Sequence, residues 1–121
     1  MIKRHSISIK HALEGLHWVI RTQPNYKIHI TLSILSLLGA WLFKISYGEF
    51  LTIITLITMG FVIETINTGI EATTDAIDKK IREDIKIAKD VSAAAMLIFA
   101  IGSFTIASII FIPRILMFWG S

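Results

Sequence analysis

Four polar residues recur along one face of an otherwise apolar segment, between positions 64 and 75. At about 100° per residue of an α-helix, Asn67 lies about 60° from Glu64, while Glu71 and Asp75 each lie within about 20° of it. A carboxylate in the hydrocarbon of a membrane costs about 3 kcal/mol or more and usually has a function. Carboxylates one and two turns apart on one face can hold a cation. The pattern therefore indicates a Mg²⁺ or proton site at a membrane surface.

Composition indicates a membrane protein with one domain, residues 1–121. Hydrophobic residues make up 54% of the chain and charged residues 17%, and the mean hydropathy is +0.68. That is more apolar surface than one small soluble core could bury. The absence of cysteine excludes disulfides, thiolate catalysis and cysteine zinc sites. The four histidines lack the H-E-x-x-H spacing of a catalytic zinc site, and we expect no nucleic-acid partner.

Three segments can cross a bilayer, given the roughly 20 residues that a span needs. We predict spans at 28–46, 50–74 and 91–113, the second with a cytosolic extension. The first span is short, but Lys27 and Lys44 can extend their charged ends to the interfaces. The polar residues from Glu64 onward then lie near one interface, not at the midplane.

Residues 5–23 have the pattern of an amphipathic helix, with an apolar stripe and a polar stripe about 120° apart. We predict a helix in the membrane interface, with Trp18 as an aromatic anchor. Packing against a neighbouring subunit is the alternative for this helix. Pro24 disfavours the helical conformation at Gln23 and should end the helix there.

Basic residues orient the three predicted spans. Of the twelve Lys and Arg, five precede the first span and five lie between the second and the third. The positive-inside rule places the N-terminus and the 75–90 connection in the cytosol. Lys80 and Arg82 of this connection could contact nucleotide phosphates, although a solvated loop has the same composition. Lys89 and Asp90 lie near the N-terminus of the third span, where free N–H groups favour anions.

Glycine motifs that bind phosphate in soluble proteins are absent. The seven glycines form neither G-x-x-x-x-G-K-[ST] nor G-x-G-x-x-G. Phosphoryl transfer by this chain would therefore depend on carboxylate-bound Mg²⁺ and basic side chains.

The central motif resembles that of the small prokaryotic diacylglycerol kinase and undecaprenol kinase family. Positions 64–75 read E-T-I-N-T-G-I-E-A-T-T-D, and positions 88–95 read A-K-D-V-S-A-A-A. Looser similarities are N-Y-K-I-H at 25–29 and F-I-P-R-I at 111–115. The resemblance implies an all-α homotrimer, in which each subunit has a surface helix and three transmembrane helices. It also implies transfer of the γ-phosphate of ATP to a lipid hydroxyl, with Mg²⁺, in sites shared between subunits of a bacterial cytoplasmic membrane protein.

The resemblance also implies roles for individual residues. Glu64 resembles the general base, Glu71 resembles a Mg²⁺ ligand, and Asn67 and Asp75 resemble their polar neighbours. The residues that resemble nucleotide contacts are Lys89, Asp90, Arg82, Lys80, His11 and Arg4.

One position departs from the family pattern. Where the family commonly has a glutamate as a second metal ligand, this chain has Gln23. An amide oxygen can bind Mg²⁺ but adds no charge, so Gln23 is either a weaker ligand or a polar residue at the end of a helix. The N-Y-K-I-H and F-I-P-R-I segments look more like the undecaprenol kinase branch, so we expect undecaprenol to be preferred over diacylglycerol.

A small cation-coupled transporter that uses the face of Glu64 and Glu71 is the alternative function. Such a transporter usually has its acidic residue near the midplane and four spans, whereas here the acids cluster at one end of a helix. A purely structural peptide would not need the polar stripe.

Overall fold

The computed structural model describes residues 2–120, which fold into four α-helices. The helices are α1 (Ile2–Thr22), α2 (Pro24–Leu42), α3 (Tyr47–Ile77) and α4 (Glu83–Trp119). Helix α3 packs against both α2 and α4, and α1 contacts α2 and α3. Contacts near the two ends of α3 show that it runs antiparallel to α4. The predicted all-α fold is confirmed for the described residues.

The break between α1 and α2 follows from Pro24. Gln23 has an extended backbone (φ −100°, ψ 114°), and Pro24 begins α2, because proline restricts the residue before it and fits the first turn of a helix. Helix α1 therefore ends at Thr22, close to the predicted end at 23, and it begins earlier than predicted, at Ile2. Val19 is the buried residue of α1, and most of its other side chains are exposed.

Helix α2 is shifted toward the N-terminus relative to the predicted first span, 28–46. It ends at Leu42, and Lys44 adopts a left-handed conformation with φ 49°. Ser46 then caps α3, because its hydroxyl accepts the N–H of Glu49 while the Glu49 carboxylate accepts the N–H of Ser46. The chain therefore turns at 43–46, where the sequence had suggested the end of a span.

Helices α3 and α4 are long and apolar enough to cross a membrane. Helix α2 does not meet the same criterion of length and hydropathy within residues 2–120. The polar residues near its start explain this, because Asn25, Tyr26, Lys27 and His29 lower the mean hydropathy of the helix. Two membrane-capable helices are thus shown within residues 2–120.

Helix α4 extends beyond the predicted span, 91–113, in both directions. It continues through Pro113 to Trp119, although proline removes one helical hydrogen bond. The guanidinium of Arg114 bonds both carboxylate oxygens of Glu49, at 3.1 and 2.7 Å, and the carbonyl of Ile110 at 2.8 Å. This bidentate ion pair connects the helical turn that follows Pro113 to the first turn of α3.

The buried apolar core of the chain is small. Among the described residues it consists of Val19, Tyr26, Ala40, Ile53, Ile85 and Ile110. Large apolar side chains along α4 are exposed, for example Leu97 at 62% and Phe104 at 77%. Exposed apolar surface of this extent must be covered by lipid or by other protein. The fold therefore supports a membrane location.

Candidate active site

The buried carboxylate of Glu64 lies where α2 crosses α3. Glu64 is 2% exposed, and its Oε2 lies 3.9 Å from Nε2 of His29 on α2. The side chain of Asn25, one turn before His29, faces the same carboxylate. The Tyr26 hydroxyl, also on α2, lies 2.8 Å from Oγ1 of Thr65, the residue after Glu64. Polar side chains of α2 therefore surround a charge that hydrocarbon would penalise.

Gly60 permits this close approach of the helices. A Cβ at this position would lie 3.1 Å from the ring of Phe99 on α4 and 3.3 Å from Nδ1 of His29. Such contacts are tighter than ordinary packing allows, so glycine brings α2, α3 and α4 together one turn before Glu64.

Asn67, about one turn after Glu64, connects α3 to α4. Asn67 and Ser92 are both buried, and the Ser92 hydroxyl donates to Oδ1 of Asn67 at 2.6 Å. A satisfied buried hydrogen bond of this kind fixes the rotation of one helix against the other. Asn67 therefore positions the polar face of α3 against α4.

Glu71 has a free carboxylate. It is half-buried and lies two turns beyond Glu64 on the same helix, and its carboxylate has no hydrogen-bond or ion-pair partner among residues 2–120, although its backbone carbonyl accepts the Thr74 hydroxyl. The charge of Glu71 acts on Glu64, so the two carboxylates form one acidic face. A cation bound at this face would relieve their repulsion.

Charged residues at the C-terminal end of α3 and the N-terminal end of α4 form ion pairs. Lys89 donates to the carboxylate of Asp75, which places it beside the predicted acidic stripe. Asp90 instead accepts from Lys86 at 2.6 Å, one turn back along α4. Of the Lys89–Asp90 pair, only Lys89 therefore contacts a residue of the stripe in the described part of the chain.

The 78–82 connection carries its own charge pairs. Arg82 forms ion pairs with Asp84 at 2.8 Å and Asp78 at 3.8 Å. The N–H of Ile85 and the Arg82 guanidinium lower the pKa of Asp84, so that this carboxylate is charged at neutral pH. Lys80 donates its backbone N–H to Asp78 and its side chain is exposed. Both basic side chains face solvent near α4 and neither reaches Glu71.

The expected site residues in and directly after α1 make no described contact with the acidic face. His11 is exposed and its Nδ1 lies 3.2 Å from Oε2 of Glu14 on the same helix. Arg4 is also exposed, and Gln23 donates its side-chain amide to Thr22 at 3.2 Å. No described contact connects these three residues with Glu64 or Glu71. A single chain therefore assembles only part of the expected site.

Three site residues were missed by reasoning from the sequence. His29 was noted only within the N-Y-K-I-H motif, although its spacing of four from Asn25 places both on one face of a helix. Ser92 and Thr68 lie inside the two motifs, but nothing in their own segments distinguishes them from the other hydroxyl residues of the chain. Their significance depends on partners in other helices, which spacing does not show.

The donor set would suit a Mg²⁺ ion that takes only one or two of its ligands from the protein. Residues 2–120 contain no cluster of three or more His, Cys, Asp or Glu that could hold a metal ion. Mg²⁺ in phosphoryl-transfer sites is commonly bound by one or two carboxylates together with phosphate oxygens and water. The unpaired carboxylate of Glu71, on the same face as Glu64, meets that requirement.

Comparison with known proteins identifies a family and two relatives. The sequence profile described as prokaryotic diacylglycerol kinase matches residues 10–111. The chain is 34% identical over 114 residues to an undecaprenol kinase of Bacillus subtilis, covering 94% of this chain and 93% of that protein. It is 25% identical over 111 residues to a diacylglycerol kinase of Synechocystis, covering 91% of this chain and 63% of that protein.

Proposed function

Because the chain belongs to the prokaryotic diacylglycerol kinase family, it is a lipid phosphotransferase with an alcohol acceptor, and we propose that ATP is its phosphate donor. The observation that carries this proposal is the acidic face of α3, where buried Glu64 and unpaired Glu71 lie two turns apart. A lipid hydroxyl lies in the interface and ATP in the cytosol, so a site at that end of α3 can receive both. The family match disfavours the transporter alternative.

Glu64 acts as the general base in the proposed reaction. Its carboxylate takes the proton of the lipid hydroxyl while the hydroxyl oxygen attacks the γ-phosphorus of ATP and the bond to the β-phosphate oxygen breaks. A general base must lie within hydrogen-bond reach of that proton. His29 and Asn25 restrain the carboxylate from the α2 side, and burial excludes competing water.

Glu71 binds Mg²⁺ in this proposal, and Gln23 is a candidate second ligand. When bound, Mg²⁺ neutralises charge on the nucleotide phosphates and holds them in position. Glu71 carries no competing ion pair among residues 2–120, so its carboxylate is available. Gln23 makes no described contact with Glu71 inside one chain, and an ion between them would take the Gln23 amide oxygen as an uncharged ligand.

The basic residues are proposed to hold the nucleotide. Lys89 lies at the cytosolic end of the acidic face, and exchange of its Asp75 contact for a phosphate oxygen would retain a charge-assisted hydrogen bond. Arg82 and Lys80 approach the nucleotide from the 78–82 connection. Asp90 contacts the ribose or a basic partner such as Lys86.

Undecaprenol is the acceptor that we propose as preferred, with diacylglycerol as the second candidate. The support is the relative named undecaprenol kinase, which is 34% identical and nearly the same length as this chain. The test is phosphate transfer from radiolabelled ATP to undecaprenol, diacylglycerol or ceramide, with a no-lipid control. Undecaprenol should give the highest kcat/KM, and a higher value with diacylglycerol would reverse the preference. No Mg²⁺-dependent transfer to any lipid would refute the kinase proposal.

We further propose a homotrimer of three-span subunits with the N-terminus and the 75–90 connection in the cytosol. Helix α2 is included as a span because 19 helical residues nearly match the length required. The exposed apolar surfaces of α3 and α4 need a cover of lipid and protein. The distribution of Lys and Arg supports this orientation.

Sites shared between subunits should allow two inactive variants to rescue each other. Arg4 and His11 of α1 make no described contact with the acidic face of their own chain, so we expect them to complete the site of a neighbour. Mixtures of a Glu64→Gln variant with an Arg4→Ala/His11→Ala variant should regain part of the lipid phosphorylation rate. The reason is that some sites in mixed trimers combine an intact Glu64 from one subunit with an intact Arg4 and His11 from another. Each variant alone is the control. Failure at every mixing ratio, with mixed trimers verified by crosslinking, would place the site within one subunit.

A further inference from the structure

Thr68 carries the one buried side-chain polar atom without a hydrogen-bond partner among residues 2–120. Thr68 is 4% exposed, and its Oγ1 bonds neither a side chain nor a backbone group of the described chain. A buried hydroxyl without a partner is unfavourable, and native structures rarely leave one without a reason.

The other threonines of α3 show that a partner was available. Six of them donate to the carbonyl four residues earlier, the usual arrangement for threonine in a helix. These are Thr52, Thr55, Thr58, Thr65, Thr73 and Thr74. Thr68 could make the same bond to the carbonyl of Glu64 by rotation about χ1, yet its hydroxyl makes no such bond.

Thr68 lies between the two carboxylates of the acidic face. It is four residues after Glu64 and three before Glu71, about 6 Å and 4.5 Å along the helix axis. Around the axis it lies about 40° from Glu64, on the opposite side from Glu71. Glu64 is buried to a similar degree. An opening that admits substrate to the Glu64 carboxylate would therefore also expose the Thr68 hydroxyl, one turn further along the helix.

We propose that the Thr68 hydroxyl is a catalytic residue that donates a hydrogen bond to the phosphoryl group during its transfer. The inference rests on the proposed function, in which the acceptor oxygen lies at Glu64 and the nucleotide phosphates lie at Glu71. The transferring group must then pass between the two, at the level of Thr68. A neutral donor at this point stabilises the charge on the phosphoryl oxygens without adding to the negative charge of the face.

The activity test compares Thr68→Val, which removes the hydroxyl, with Thr68→Ser, which keeps it. Thr68→Val should lower kcat and kcat/KM together by about tenfold to a hundredfold, the effect of losing one hydrogen bond to a charged group in the transition state. Thr68→Ser should remain within a few-fold of the unmodified protein. Thr58→Val is the matched control, because Thr58 is exposed and its hydroxyl already donates to Ile54.

A binding test measures the proposed hydrogen bond between Thr68 and the phosphoryl group without turnover. The midpoint of thermal unfolding is measured for the protein alone, with Mg²⁺ and ADP, and with Mg²⁺, ADP and tetrafluoroaluminate as the phosphoryl mimic. Mg²⁺ and ADP should stabilise the unmodified protein and Thr68→Val equally, whereas the additional stabilisation by the mimic should be reduced in Thr68→Val. Without ligands, Thr68→Val should be no less stable, because it removes an unpaired buried hydroxyl.

Several outcomes would overturn the role of Thr68 while leaving the kinase proposal intact. They are an unchanged kcat in Thr68→Val, an equal loss in Thr68→Ser or in Thr58→Val, a rise in the lipid KM alone, or full stabilisation of Thr68→Val by the mimic. If the unmodified protein transfers no phosphate to any lipid, the proposed function and the role of Thr68 both fail.

Discussion

Replacement of Glu64 by glutamine should lower kcat for lipid phosphorylation by about two to four orders of magnitude, the contribution of a positioned general base. Glutamine has nearly the same size as glutamate and keeps one oxygen toward His29, but it cannot accept the proton of the lipid hydroxyl. The rate is measured with radiolabelled ATP and undecaprenol, both at saturating concentration. The KM for ATP should change little, because Glu64 is buried beside α2, away from the basic residues assigned to the nucleotide.

A stability measurement separates this loss from misfolding. Glu64→Gln removes a charge from a buried position and should not lower the thermal unfolding midpoint. Glu83→Gln is the matched control, since Glu83 is an exposed glutamate in the first turn of α4, and it should retain normal turnover. A Glu64→Gln protein that turns over within tenfold of the unmodified protein would exclude Glu64 as the base.

Replacement of Glu71 by glutamine should lower turnover by about a thousandfold or more at any practical Mg²⁺ concentration. Stabilisation of transition-state charge by a metal ion is worth several kcal/mol, and each 1.36 kcal/mol corresponds to a factor of ten in rate. Glu71 is the carboxylate of the acidic face that has no polar partner among residues 2–120, so its loss removes the charged ligand that we assign to the metal. The measurement is kcat as a function of Mg²⁺ concentration.

The Mg²⁺ titration distinguishes a metal ligand from a residue with another role. If Glu71→Gln recovers substantial turnover at high Mg²⁺, Glu71 is not an essential ligand. The same Glu83→Gln protein again serves as the control and should show an unchanged Mg²⁺ midpoint. Because the Glu71 side chain is only half-buried and makes no described bond, its replacement should leave the fold intact.

The predictable part of the fold came from local signals. Pro24 predicted the break at Gln23, and the apolar runs predicted the helices that became α3 and α4. The end of α2 was not predictable in this way, since the turn depends on the left-handed Lys44 and on the cap that Ser46 forms with Glu49. The continuation of α4 beyond Pro113 was also missed, because the partner of Arg114 lies at the start of α3.

The acidic face of the candidate site was predictable because helical periodicity is a property of one segment. Spacing alone places Glu64, Asn67, Glu71 and Asp75 on one side of α3. Lys89, which the sequence places near the N-terminus of the third span, is bonded to Asp75 of this side in the structure. The amino-acid types then restrict the chemistry to proton transfer and cation binding.

What the sequence by itself determined is thus the set of helices, the polar stripe and the family. Only the tertiary structure decided which groups meet that stripe: His29 beside Glu64, Ser92 on Asn67, and Thr68 left without a partner. The physical reason is that periodicity fixes the direction of a side chain from its own helix. Its partners depend on how neighbouring helices approach and rotate, and here Gly60 sets that approach by allowing Phe99 and His29 to pack against α3.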